Sequence, residues 1–198
     1  MSEPRVHHHT SQAITQPAGL EKVRLNLGCG NDYREGWVNL DLFSPKCDIR
    51  HDLSKFPYPF KDGSVDEIYA SHIIEHLPDT FRVMEEFWRI MAPKGKLTVK
   101  VPHFSSSAAW TNLQHKRAYG INSMAHFDEQ YWESTYTHAR FKVKSAKLAY
   151  TRRKTLPLIL LSIIPNAVAA LNPYWADRLA PMLFGGYDEI IWELEAKK

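Results

Sequence analysis

The sequence predicts an α/β fold in which a mostly parallel sheet is flanked by helices. Short apolar segments that alternate with polar residues recur over residues 23–101, and they end on glycine, an acid or proline. Apolar residues over 80–91 follow helical spacing instead. Strands linked by helices or short crossovers pair in parallel, so a ligand is expected at their carboxyl ends.

Seven strands and one clear helix are predicted from these patterns. The strands are expected at 23–27, 37–41, 47–52, 65–70, 96–101, 141–151 and 187–195. The helix over 80–91 ends before Pro93 and Gly95. Two variable segments, 103–138 and 152–186, separate the later strands and are expected to contact substrate.

Length and composition indicate one folded domain. The chain has 198 residues, of which 44% are hydrophobic and 24% charged. Residues 1–20 show no periodicity and are predicted to be a flexible arm, whereas 21–198 form the domain. No apolar targeting segment opens the chain, which favours a cytoplasmic protein.

The charge is mildly basic and unevenly distributed. The formal net charge of +3 does not by itself indicate nucleic acid binding. Seven basic residues and no acid lie between Arg140 and Lys154. This run is interpreted as a lysine-protected sheet edge or as an attraction for an anionic substrate or lipid headgroup. Nucleic acid is disfavoured because no stacking aromatic pattern accompanies the charges.

A glycine turn follows the first predicted strand, and acids follow the next two. Tyr33 stands where a third glycine would complete a dinucleotide motif, which argues against NAD. At the end of the second strand, Asp41 is placed to accept hydrogen bonds from ribose hydroxyls. Asp52 is placed to accept from an adenine amine, with Leu53 packed on the ring. Alternatively, both acids only cap turns.

Taken in order, these segments resemble the motifs of class I S-adenosylmethionine-dependent methyltransferases. The segments are Leu25–Asn31, Asn39–Asp41, Asp52–Leu53, Pro59–Asp66, Ser71–Leu77 and Ile90–Leu97. The resemblance implies a Rossmann-like seven-stranded sheet with an antiparallel last strand, in which 141–151 and 187–196 supply strands six and seven. It also implies that 21–198 is a methyltransferase domain with S-adenosylmethionine as cofactor.

The resemblance implies a cofactor site at the strand ends. In it, the glycine turn would pass beneath the methionine part of the cofactor, Asp41 would hold the ribose, and Ser71 and His72 would lie beside the sulfonium. The full predicted set is Gly28, Cys29, Gly30, Asp41, Leu42, Asp52, Leu53, Ser71 and His72. His76 is expected to pack at the start of the next helix. No metal site is predicted, since Cys29 and Cys47 form no CxxC pair.

The methyltransferase family has no universal base, so the base is sought in the variable segments. His115 is the first candidate and His103 the second, because histidine titrates near neutral pH. Together with His126 they are also able to bind a metal or to hold loops. Residues 111–117 resemble a D-P-x-H-x-R segment of methyltransferases encoded with polysaccharide and glycolipid enzymes, with Asn112-Leu113 in place of Asp-Pro. A small-molecule, glycan or glycolipid acceptor is therefore expected, methylated on oxygen or nitrogen.

An apolar segment over 156–171 is too short to span a membrane, and Pro165 is expected to break it. It is interpreted as a lid over the active site, as a peripheral membrane contact within 140–184, or as a dimer face. Three rival functions remain: an NAD-dependent oxidoreductase, a non-enzymatic binding module, and an RNA methyltransferase. The sequence predicts neither the acceptor nor the oligomeric state.

Overall fold

The computed structural model describes residues 22–151, 155–183 and 185–198. Within these ranges, a seven-stranded sheet carries helices and 3₁₀ turns. The strands are β1 (Arg24–Leu27), β2 (Val38–Asp41), β3 (Ile49–Arg50), β4 (Val65–Ser71), β5 (Met91–Pro102), β6 (Phe141–Ala149) and β7 (Glu189–Ala196). The helices are α1 (Thr80–Ile90), α2 (Ser107–Thr111), α3 (Leu156–Leu171) and α4 (Pro173–Leu183).

The strand order is β3-β2-β1-β4-β5-β7-β6. The first five strands pair in parallel, and β7 is antiparallel to both β5 and β6. The predicted seven-stranded sheet with an antiparallel last strand is confirmed. The chain runs outward from β1 to β3 and then returns to β4 on the other side of β1. This reversal opens a crevice at the carboxyl ends of β1 and β4.

Helix α1 is amphipathic and covers the sheet. Asp79 caps its first turn by accepting a hydrogen bond from the backbone N–H of Arg82 at 3.1 Å. Its buried face, led by Val83, Met84 and Phe87, joins the main hydrophobic core. The spacing of these residues predicted the helix, because every third or fourth position of a helix lies on the face that packs against the sheet.

The predicted boundaries differ from the observed ones at two places. The third strand was predicted over 47–52 but covers only Ile49–Arg50. The helix was predicted to include Met91, which instead begins β5 and pairs with Val65. Met91 adopts ψ 142°, an extended conformation, because Pro93 two residues later cannot continue the helix.

Pro165 does not break the apolar segment, contrary to the prediction. Helix α3 continues through this residue, which is buried and whose carbonyl oxygen accepts a hydrogen bond from the hydroxyl of Tyr187 at 2.7 Å. Packing against Tyr187 holds the helix together although proline supplies no backbone N–H. In the described part of the chain, no helix is long and apolar enough to cross a membrane.

The basic run lies at an edge of the sheet, as one interpretation predicted. Strand β6 pairs with β7 alone, and Lys144 lies 3.5 Å from Glu195 of that neighbour. Lysine at an edge discourages pairing with another chain. Residues 152–154 of the basic run lie outside the described residues.

Candidate active site

The glycine turn after β1 is bound to the acid at the end of β2. Oδ2 of Asp41 accepts a hydrogen bond from the backbone N–H of Gly30 at 2.9 Å. Its other oxygen, Oδ1, accepts from the N–H groups of Phe43 and Ser44 at 2.7 and 2.8 Å. The Ser44 hydroxyl donates to the carbonyl of Gly30 at 2.6 Å. One carboxylate therefore fixes both loops at the crevice.

Asp41 is held in its ionised form. Burial raises the pKa of this carboxyl, but the N–H donors of Phe43, Ser44 and Gly30 outweigh it. The pKa of Asp41 therefore lies below its ordinary value. Oδ2 accepts the hydrogen bond from Gly30, and a carboxylate oxygen has about two acceptor positions, so Oδ2 keeps room for a ligand hydroxyl.

The two glycines of the turn have different surroundings. Gly28 adopts φ +65°, and an added Cβ would lie 2.5 Å from the side chain of Ile73. Gly30 adopts φ +49°, and a Cβ there would meet nothing within 4 Å. Between them, Cys29 is buried, and burial raises the pKa of its thiol. The turn therefore packs tightly on Ile73 and opens at Gly30, where a ligand has space.

Asp52 and Leu53 follow β3 and differ in exposure. Oδ1 of Asp52 accepts from the N–H and the hydroxyl of Ser54 at 2.9 and 2.7 Å. The hydroxyl bond of Ser54 is the main reason that the pKa of Asp52 lies below its ordinary value. Leu53 is buried in the main core, whereas the predicted Leu42 is partly exposed after β2. Both turn-capping bonds of Asp52 use Oδ1, so Oδ2 takes no part in them.

His72 follows β4 and lies between two carboxylates. Its Nε2 is 2.7 Å from Oε1 of Glu189, and its Nδ1 is 3.3 Å from Oε1 of Glu75. The backbone of His72 has φ +53°, which costs a residue with a Cβ roughly 1–2 kcal/mol. Ser71, just before it, ends β4 in register with Lys100. Ser71 and His72, which the resemblance placed beside the cofactor, thus lie at the carboxyl edge of the sheet.

His103 is a fully buried residue at the end of β5. Its Nδ1 is 2.5 Å from the hydroxyl of Ser105, and its Nε2 is 2.9 Å from Oδ1 of Asp177 in α4. Asp177 also accepts from the backbone N–H of Ile121 at 2.7 Å. Both ring nitrogens of His103 are therefore engaged, Nδ1 with Ser105 in the loop after β5 and Nε2 with α4.

His115 faces His76 beside Glu75. The two ring centroids are 4.6 Å apart, and one ligand atom from each of the three residues lies within 4.8 Å of the others. Nδ1 of His115 is 3.1 Å from the carbonyl of Ala109, so Nδ1 carries the proton. The N–H of Lys116 donates to the carbonyl of Glu75 at 2.7 Å and holds the loop in place. His76 lies in the 3₁₀ turn before α1, where burial lowers its pKa.

His126 has a different environment from the other two candidate histidines. Its Nε2 lies 3.7 Å from Oε2 of Glu133, and its ring packs edge-on against Phe81 and Tyr131. It lines a cavity of about 310 Å³ together with Phe81 and Arg117. The three histidines that were considered together thus have separate partners.

Sequence reasoning missed three carboxylates: Glu75, Glu189 and Asp177. Glu75 lies next to His76 in the Ser71–Leu77 segment, but the sequence pattern did not show that its side chain is buried. Glu189 reaches His72 only because β7 inserts beside β5, which places Glu189 opposite Pro102. No local signal could have found the His72–Glu189 pair, since 117 positions separate the two residues.

Comparison with known proteins links the chain to methyltransferases. Residues 45–99 match the family model described as a methyltransferase domain. A protein of Mycolicibacterium smegmatis, named as a probable S-adenosylmethionine-dependent methyltransferase, is 37% identical over 76 residues. That stretch covers 37% of this chain and only 29% of the relative.

Solved structures share the fold over most of the chain. An S-adenosylmethionine-dependent methyltransferase from Archaeoglobus fulgidus gives a TM-score of 0.54 at 16% identity, covering 88% of this chain and 86% of its own. A chain from the complex between the Haloferax volcanii Trm112 methyltransferase activator and a methyltransferase gives 0.55 at 17% identity, covering 89% and 83%. At such identities the likeness establishes the Rossmann-like fold. The chain therefore resembles S-adenosylmethionine-dependent methyltransferases over part of its sequence, and it shares their fold over most of its length.

Proposed function

We propose that this protein transfers a methyl group from S-adenosylmethionine to an oxygen or nitrogen of a small-molecule, glycan or glycolipid acceptor. The observation that carries the proposal is the Asp41 carboxylate bonded to Gly30, beside open space at the carboxyl ends of β1 and β2. A ribose would find an ionised acceptor there, and the chain could pass close to the glycine turn.

The proposed cofactor residues fit the chemistry of S-adenosylmethionine. Asp41 has acceptor capacity left for a ribose hydroxyl, and the second oxygen of Asp52 takes no part in its turn-capping bonds. Gly28, Cys29 and Gly30 would lie beneath the methionine part, with Leu42 and Leu53 flanking the ribose and adenine. Ser71 and His72 would line the space beside the reacting methyl.

When bound, S-adenosylmethionine supplies a methyl carbon on a sulfonium; the carbon–sulfur bond breaks as the bond to the acceptor forms, and S-adenosylhomocysteine leaves. The chain's own residues position the acceptor and exclude water. The acceptor proton must go to a base or to solvent. His115 suits a role at the acceptor better than His103, because its Nδ1–H bond to Ala109 leaves the Nε2 lone pair unused.

A lipid-linked acceptor is favoured by the surface of α3 and α4. Apolar side chains are widely exposed there: Leu160, Leu161, Ile163, Ile164, Leu171, Trp175, Met182 and Leu183. Strand β6 with its lysines packs beside these helices. An apolar surface next to basic residues suits an anionic membrane. We therefore propose a cytoplasmic protein that contacts the membrane peripherally through 140–184, with α3 and α4 also serving as a lid.

Calorimetric titration tests the cofactor assignment. Purified protein is titrated with S-adenosylmethionine and, separately, with NAD⁺. We expect micromolar binding of the first and none of the second. Binding of NAD⁺ alone would replace the proposal with an oxidoreductase, and no binding of either would favour a module without this cofactor.

Vesicle co-sedimentation tests the membrane contact. Anionic vesicles are expected to pull down the protein, and neutral vesicles to retain less of it. Leu160→Asp combined with Ile164→Asp should abolish sedimentation, because two charges would enter the apolar surface. Leu113→Asp provides a control, since this exposed apolar residue lies away from α3. Equal sedimentation of all three proteins would contradict the contact.

A further inference from the structure

A buried acid without a hydrogen-bond donor stands next to the proposed cofactor site. Glu75 is 1% exposed, and within the described residues neither of its carboxylate oxygens accepts a hydrogen bond. Nδ1 of His72 lies 3.3 Å from Oε1 but makes no hydrogen bond to it. Burying a carboxylate costs free energy unless a cation or several donors compensate. The protein fold alone therefore leaves this group incompletely satisfied.

Two imidazoles face the same point as Glu75. One ligand atom each from Glu75, His76 and His115 lies within 4.8 Å of the other two, so small side-chain rotations bring all three within bonding distance of one ion. The carbonyl of Ala109 fixes the proton of His115 on Nδ1, so the Nε2 lone pair is available for an ion. A histidine ligand is usually oriented in this way, by a carbonyl bound to its other nitrogen.

We propose that Glu75, His76 and His115 bind a divalent transition-metal ion of the zinc type. Two imidazoles and one carboxylate suit such an ion, whereas Mg²⁺ prefers an oxygen shell. Three protein ligands leave a coordination position open for water or substrate. This set of three ligands was not predicted from the sequence, because His115 comes 39 residues after His76 and no local motif joins them.

The position of the three ligands gives the ion a role in methyl transfer, and this role rests on the proposed function. Ile73, two residues before Glu75, contacts the glycine turn closely enough to exclude a Cβ at Gly28. The ligands therefore adjoin the proposed cofactor site. A hydroxyl of the acceptor at the open position would be oriented and made more acidic. His115 would then act as a ligand rather than as the base.

Zinc titration tests the site directly, without any methyl transfer. His7, His8 and His9 lie outside the described residues and form a run that binds Zn²⁺ by itself, so all three are replaced by Ala in every protein used. Calorimetry with Zn²⁺ should then give one ion per chain. Mg²⁺ at the same concentration should not compete. Absence of Zn²⁺ binding in this background would overturn the proposal.

Single substitutions assign the ligands. Glu75→Gln and His115→Gln should each weaken Zn²⁺ binding by at least about tenfold. His138→Gln is the matched control, because His138 also lies 3.4 Å from a carboxylate, that of Glu85, but is exposed. Unchanged Zn²⁺ affinity in both ligand variants would overturn the site, as would equal loss in the control.

Thermal unfolding separates a ligand from a merely structural residue. Without metal, Glu75→Gln should unfold at the same temperature as the parent or higher, since it removes a buried carboxylate that accepts no hydrogen bond. With Zn²⁺, the parent midpoint should rise and that of Glu75→Gln should not. If Glu75→Gln does not fold, His115→Gln answers the same question. Equal rises in parent and variant would contradict the proposal.

Cofactor titration keeps the two proposals distinguishable. Zn²⁺ binding without S-adenosylmethionine binding would leave the metal site standing and reject the proposed function. S-adenosylmethionine binding without Zn²⁺ binding would reject the metal site and leave the proposed function standing.

Discussion

The backbone N–H of Gly30 donates to Oδ2 of Asp41 at 2.9 Å, which makes the glycine turn and the acid of β2 one structural unit. The other oxygen of Asp41 caps the N–H groups of Phe43 and Ser44. Loop geometry and the proposed ribose contact therefore depend on the same carboxylate. Substitutions at Asp41 must be chosen so that these two roles can be separated.

Asp41→Ala should weaken S-adenosylmethionine binding by about 1–3 kcal/mol, because the ribose loses a charged acceptor. Asp41→Asn keeps an oxygen for the N–H groups of Phe43 and Ser44 but loses the charge. We expect Asp41→Asn to unfold between the parent and Asp41→Ala, because its NH₂ group would face the Gly30 N–H, and still to bind cofactor less tightly. Calorimetry and thermal unfolding measure both quantities. Parental affinity in folded Asp41→Ala would rule out the ribose contact.

Gly28→Ala should mainly lower stability, whereas Gly30→Ala should mainly lower the affinity for the cofactor. Both glycines have positive φ, which costs alanine roughly 1–2 kcal/mol. Only at position 28 does the new Cβ also collide with Ile73, so Gly28→Ala should lose more stability. Gly30→Ala should mainly lose cofactor affinity, because its Cβ enters the proposed ligand space. Chemical denaturation and calorimetry compare the pair.

Relief of the collision provides the check on this pair. Ile73→Ala in the Gly28→Ala background should recover part of the lost stability, since the side chain that meets the new Cβ is shortened. No recovery would mean that backbone conformation, rather than contact with Ile73, accounts for the loss.

The Arg89–Glu86 pair predicts a change in the pH dependence of stability. Arg89 donates to both oxygens of Glu86 at 2.8 Å, and Oε2 also accepts the N–H of Tyr58. Burial raises the pKa of Glu86, but these donors outweigh it and bring the pKa below its ordinary 4.5. The stability contributed by this carboxylate is full above its unfolded pKa and is lost as pH falls through the lower folded pKa.

Arg89→Met should lower the free energy of unfolding at pH 7 by about 2 kcal/mol. Without Arg89, burial would hold the pKa of Glu86 above its ordinary value. Protonation of Glu86 would then favour the folded state, so the free energy of unfolding would rise as pH falls from neutral. Urea denaturation between neutral and mildly acidic pH checks the sign. Arg82→Met, on the exposed side of the same helix, is the control and should keep the parental dependence.

Substitutions of His103 and His115 should differ in their effects on stability and activity. His103→Gln removes a buried ring that binds Ser105 and Asp177, so we expect a loss of about 2 kcal/mol of stability. His115→Gln should unfold near the parent temperature and lose methyl transfer by roughly 10²–10⁴. An inactive His103→Gln with parental stability would instead mean that His103, and not His115, acts at the acceptor. Turnover and thermal midpoints are measured on both variants.

Local pattern was enough to predict the sheet and the residues at its carboxyl edge. Alternation located the strands, and the 3.6-residue period located α1, because burial on one face imposes these periods on the sequence. The glycine turn and Asp41 were predictable since each directly follows a strand, and parallel strands bring their ends to one edge. Pro165 misled the prediction because packing against Tyr187 outweighs the backbone hydrogen bond that proline lacks.

The sequence by itself determined the class of fold and which residues stand at the carboxyl edge of the sheet. Tertiary structure alone decided which side chains meet: Glu189 with His72, Asp177 with His103, and His115 with Glu75. The physical reason is that these contacts join residues far apart in the chain, through the insertion of β7 and the packing of α4 and the 115–116 loop. Their energies depend on burial and distance, which no local periodicity encodes.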